Sequence, residues 1–164
     1  MKLSKEQKQA ELEKYRLLVL ATIDYYLENK LLQITTADFN AETHFGELKK
    51  QTESFFQKGS LGLLKQWFID LTEMQLEGRD LKFNQYLKDK TGYEFDIFAS
   101  FFQRIDKIIS KGRITTDNQF YDVRILVDQL CEAATPDCRK IEMLNRLLLD
   151  FEQKKSSRSP KEKK

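Results

Sequence analysis

The sequence predicts an all-α fold, a single compact bundle of six or seven helices followed by a disordered basic C-terminal tail. Three observations carry this expectation. Six Gly and two Pro among 164 residues leave little to break helices, and Leu, Lys, Glu and Gln favour them intrinsically. Apolar residues recur at spacings of three and four through most of the chain, the signature of buried helix faces. After Gln153 the apolar residues vanish, leaving only Lys, Ser, Arg, Pro and Glu, which cannot offset the entropy of ordering. The expected organisation is a helical domain over residues 1–153 and a tail over 154–164.

The first helix starts at a capping box, Ser4 with Gln7 three residues later, and runs to about Asn29. It begins charged and becomes almost continuously apolar from Leu17 to Leu27. Leu31 to Thr36 reads as a connector with weak strand character at Leu32 and Ile34. Thr35 or Thr36 is expected to cap a segment containing Phe39, with helical phase regained by about Glu42. Phe45, Leu48, Phe55 and Phe56 form its stripe, and Lys58-Gly59 stops it.

Ser60 is the expected cap of a helix bearing Leu61, Leu64, Trp67, Phe68, Leu71 and Met74, ending at Glu77-Gly78. Asp80 opens a shorter helix that stops at Thr91-Gly92. The densest stripe follows, Ile97, Phe98, Phe101, Phe102, Ile105, Ile108 and Ile109. It predicts a central helix from an Asp96 N-cap to a C-terminal Gly112. Arg113 to Asp117 reads as a tight turn with a threonine N-cap for the next helix, which carries Phe120, Val123, Leu126, Val127 and Leu130. Thr135-Pro136-Asp137 reads as a restart with Thr135 as cap, before a last helix with Ile141, Leu144, Leu147, Leu148 and Phe151. The runs Ile34-Thr35-Thr36-Ala37-Asp38-Phe39 and Ile114 to Phe120 echo each other, which is read as one helix-start chemistry used twice.

Function is far less legible. One histidine, His44, excludes mechanisms that need a pair of them, although Glu42 and Glu47 lie near it in sequence. Cys131 and Cys138 lack the close spacing of zinc ligands and read as thiols of a reducing compartment. Cys138 has Arg139 and Lys140 beside it, which would favour its thiolate. No glycine-rich phosphate loop or nucleophile elbow is present; the expectation is no enzyme, no cofactor and no metal. The polar start is unlike a signal peptide, and the run from Leu17 to Leu27 is too short to span a bilayer, so a cytoplasmic protein is expected.

The net charge of +2 hides an asymmetry. Residues 154–164 hold six Lys or Arg and one Glu, leaving −3 for residues 1–153. A mildly acidic body argues against nucleic acid as its partner. A helix-turn-helix reading around Gly112 to Thr115 meets the same objection. Its second helix would expose Asp117, Asn118, Asp122, Arg124, Asp128 and Glu132, mostly acids that phosphates repel.

The leading expectation is a non-catalytic protein–protein interaction module, an adaptor, regulator or inhibitor acting through a helical surface. Trp67, Tyr86 and Tyr93 are its candidate contacts, since Trp and Tyr are enriched in binding hot spots; Tyr25 and Tyr26 are further aromatics of that kind. The alternative is association with nucleic acid through the tail, by Lys154, Lys155, Arg158, Lys161, Lys163 and Lys164. Ser156, Ser157 and Ser159 could accept phosphate and cancel that charge. A third expectation is a small-molecule pocket among Phe98, Phe101 and Phe102.

Overall fold

The computed structural model describes residues 2–31 and 36–158. Seven helices run through them: α1 (Lys5–Glu28), α2 (Ala41–Gln57), α3 (Leu61–Gly78), α4 (Phe83–Thr91), α5 (Ala99–Lys111), α6 (Asp117–Glu132) and α7 (Cys138–Arg158). No strand occurs among the described residues; Thr36 and Phe39 form one isolated antiparallel bridge. The all-α expectation therefore stands. Where the sequence reading placed one helical domain, the contacts group the chain into two compact units, Met1–Ile97 and Phe98–Lys164.

In the N-terminal unit α1 is the hub, packing against α2, α3 and α4. Its start is the capping box expected from sequence: Gln7 N donates to Ser4 Oγ (3.1 Å) and Ser4 N to Gln7 Oε1 (2.9 Å). The near-continuous apolar run is enclosed as its composition requires, with Leu18, Val19, Ala21, Thr22, Ile23, Tyr25 and Tyr26 all buried. Thr22 is tolerated there because its hydroxyl donates to Leu18 O (2.8 Å), which removes the penalty of a bare buried polar group.

Several helix ends differ from expectation, each for a local reason. Asn40 rather than Thr36 caps α2, accepting from Thr43 N at 3.1 Å. Thr36 is instead paired to Phe39 across the tight turn before it; Leu32, Ile34 and Thr35 lie outside the described residues. The echo between the two Thr-Thr runs thus does not extend to a shared capping role. Ser60 stands before α3 without a side-chain capping bond. Gly78 stays within the last turn of α3, and Arg79 takes the left-handed position at φ 50°. Gly92 and Gly112 do occupy that region, at φ 74° and 66°, closing α4 and α5 where the sequence placed their ends.

Tyr25 shows how the acid and aromatic groups of this unit are joined. Its ring meets Phe83 edge-on, at 5.0 Å and 72°, and its hydroxyl donates to Asp80. Burial, and then the Asp80 carboxylate, push the phenol well above its ordinary pKa of 10. A raised folded-state value means stability that is whole below pH 10 and is lost as pH climbs beyond it. Tyr25→Phe is expected to cost about 1 kcal/mol at neutral pH and to flatten the alkaline fall in stability. Urea unfolding at pH 7 and above pH 10 checks both; an alkaline limb as steep as in the parent chain would refute it.

In the C-terminal unit α6 packs against both α5 and α7, so α6 rather than the 96–111 helix is its hub. Helix α5 begins only at Ala99. Asp96 is not its cap: Asp96 Oδ1 accepts from Asn84 Nδ2 (2.6 Å), and Asn84 Oδ1 accepts from Ile97 N (3.2 Å), so this stretch is held to the start of α4. The predicted stripe is nonetheless the buried face, with Phe98, Phe101, Ile105 and Ile108 all buried. Asp122, expected on an exposed face, is buried and pairs with Arg104 at 3.2 Å. Asp137, not Thr135, caps α7, accepting from Lys140 N at 3.1 Å. Helix α7 then continues to Arg158, so residues 154–158, placed in the tail by sequence, are helical. Residues 159–164 lie outside the described ones.

Candidate functional site

The partition into two units changes how the charge reads. Residues 98–164 hold 14 basic and 10 acidic side chains, a balance of +4, leaving −2 for residues 1–97. Four of these cations, Arg113, Lys154, Lys155 and Arg158, line a cleft of about 430 Å³ between the turn that opens α6 and the end of α7. Both walls follow from local sequence. Gly112 takes its left-handed conformation and turns the chain out of α5. Ile114 then buries its side chain and anchors the turn. Thr116 caps α6, accepting from Gln119 N (3.2 Å), while Gln119 Oε1 accepts from Thr115 N (2.9 Å) and Thr115 Oγ1 (3.0 Å). This rigid turn presents Arg113 at one side of the cleft.

The opposite side is the last part of α7, where Lys154, Lys155 and Arg158 line the cleft above Phe151. Phe151 packs on Phe120 with ring centroids 5.5 Å apart, which ties this end of α7 to α6. Lys154 and Arg158 are four residues apart and so share a helix face. The one acid in the lining, Asp117, is already engaged by Lys155 at 2.7 Å. Hydrogen bonding to Asp117, reinforced by its charge, raises the Lys155 pKa. Among the described residues no carboxylate pairs with Arg113, Lys154 or Arg158. The cleft is therefore a concentration of cationic charge at the N-terminal, partially positive end of α6.

The structure thus brings together three of the six cations that the sequence singled out, Lys154, Lys155 and Arg158. Lys161, Lys163 and Lys164 fall outside the described residues. Sequence reading missed Arg113, which lies 41 positions before Lys154 and is joined to it only by the packing of α6 against α7. Its one local signal was its place straight after a helix-ending glycine.

Of the aromatic candidates, Tyr86 meets Tyr25, with ring centroids 4.8 Å apart, while Trp67 packs at another seam. Trp67 is half-buried on α3 and meets Phe55 of α2 edge-on at 5.0 Å. Tyr86 is half-buried on α4, against Tyr25, with its hydroxyl donating to Glu28 Oε2 (3.1 Å) and Lys90 over its ring. Tyr93 is half-buried in the segment after α4. Trp67 and Tyr86 serve different helix seams, so each ring has a packing role where it stands.

The remaining candidates are quickly placed. Phe98 and Phe101 are 1% and 3% exposed, and the main clefts lie elsewhere. His44 is exposed between Phe39 and Phe45, while Glu47 pairs with Lys50 at 2.9 Å. Cys131 and Cys138 are exposed free thiols. No group of three or more His, Cys, Asp or Glu among the described residues could hold a metal ion, and no helix among them is long and apolar enough to cross a membrane. No family model, curated protein or solved structure matches the chain.

Proposed function

We propose that the chain is a non-catalytic binding module of the cytoplasm whose C-terminal unit holds nucleic acid by its phosphate backbone. The observation that carries this reading is the cleft itself, where Arg113, Lys154 and Arg158 line one space without a carboxylate partner among the described residues. Phosphates supply the missing counter-charge, and the guanidinium groups of Arg113 and Arg158 suit them by fork geometry. The sequence alternative placed such binding in a flexible tail; this reading moves it to the helical end of α7 and adds Arg113. The acidity of residues 1–153 remains an objection to a broad nucleic-acid face, since the positive balance of the second unit comes from residues 154–164; the reading therefore rests on the local cluster at the cleft. Contacts of this kind recognise backbone rather than base edges, so binding is expected to be indifferent to sequence. The exposed thiols of Cys131 and Cys138 suit a reducing compartment.

The test is binding of a short mixed-sequence duplex by the full chain and by a chain ending at Arg158, across a range of salt. The shortened chain is expected to keep binding, with log K falling against log salt at a slope of about −2.7 for three phosphate contacts. Loss of all binding on removal of residues 159–164 would return the activity to the tail. Absence of binding by the full chain at low salt would overturn the reading altogether.

A further inference from the structure

The N-terminal unit carries a groove of the opposite character. It lies between the first turns of α2 and the second half of α3, with a volume of about 450 Å³. Its floor is apolar, with Phe45 buried, stacked on Tyr26 at 5.5 Å, and Met74 left 41% exposed. Along its α3 side stand Asp70, Glu73 and Glu77. Asp70 accepts an amide hydrogen of Gln66 at 2.8 Å. Among the described residues, none of the three carboxylates is paired with a cation.

We propose that this groove is a docking site for a basic amphipathic helix of a partner protein. The occupant follows from two complementarities. Asp70 and Glu77 are seven positions apart on α3, so the carboxylates are strung over about 10 Å of helix. That is too long for one small cation but matches Lys or Arg repeated at three- and four-residue spacing on a facing helix. The same spacing puts apolar side chains of that helix over the half-buried Leu48 and Leu71 and the exposed Met74, and a methionine adapts its flexible side chain to them. Apolar anchors in a groove, flanked by paired charges, are the recurring way in which proteins hold amphipathic helices. The sequence expectation of a protein partner thereby gains a location, away from Trp67, Tyr86 and Tyr93. This inference does not depend on the nucleic-acid reading, which concerns the other unit.

The probe is a fluorescein-labelled helical peptide of Leu and Lys, with the matching Leu and Glu peptide as its counterpart, titrated with the full-length chain. Expected is saturable binding of the Lys peptide and none of the Glu peptide. In the double variant Glu73→Lys, Glu77→Lys, the affinity should fall at least about tenfold, with helix content by circular dichroism unchanged. The double variant Glu142→Lys, Asp150→Lys makes the same change of net charge at exposed sites of the other unit and should bind as the parent does. Equal loss in both double variants would reduce the effect to bulk charge and overturn the proposal. No binding of the Lys peptide by the parent chain would overturn it as well.

Discussion

Replacing Phe83 by alanine is expected to destabilise the N-terminal unit by about 3–5 kcal/mol. Phe83 is fully buried at the first position of α4 and meets Tyr25 of α1 edge-on. Truncation removes the transfer free energy of the ring, leaves a cavity between two helices, and deletes an aromatic pair worth about 1 kcal/mol by itself. Helix α4 has only nine residues, too few to persist on its own helical propensity. Losing its anchor therefore costs more than the hole alone. Against a typical domain stability of about 5–15 kcal/mol the loss is large, and the melting temperature should fall by about 10 °C or more. Leu63→Ala, at an exposed position of α3, should stay within about 0.5 kcal/mol. Denaturant midpoints of the two variants make the comparison; similar midpoints would show that Phe83 is not an anchor.

Reversing the cleft cations together, as Arg113→Glu, Lys154→Glu and Arg158→Glu, should abolish the duplex affinity of the chain ending at Arg158. Each phosphate contact contributes about 0.9 to the slope of log K against log salt. With three contacts, a fourfold rise in salt weakens the parent by about 40-fold, and the variant should show no such dependence. Lys155 is left in place because Asp117 already neutralises it. All three replaced side chains are exposed, so the fold should survive, and an unchanged thermal transition is the control. A slope that persists in the variant would place the contacts elsewhere.

The helices themselves were legible because their signals are periodic. The stripe from Phe98 to Ile108, the enclosed run of α1 and the glycine ends of α4 and α5 all emerge where the sequence put them. Starts and stops were less legible, because several residues compete for each cap and tertiary bonds choose between them. Asp96 was a good cap by composition, yet Asn84 holds it for another purpose. Gly78 was a good stop, yet the α3 ladder runs one residue further and leaves Arg79 in the left-handed position. The candidate site was half legible. Composition marks Lys154, Lys155 and Arg158, but no local pattern relates them to Arg113. Nor does local sequence place Phe39 and His44 of one segment beside Glu73 and Glu77 of another. Such groupings exist only after helices pack.

The helical course of α7 as far as Arg158 makes its basic end a ruler rather than a tether. The Cβ atoms of Lys154 and Arg158 are set about 5–6 Å apart by the helix repeat, so the backbone has little freedom left to surrender when a ligand arrives, and only the two long side chains have still to be ordered. A loose basic strand adjusts to any polyanion; a ruled one favours charges repeated at its own interval. Under the proposed function, charge spacing in the ligand, and not only its total charge, is what this end of the molecule would measure.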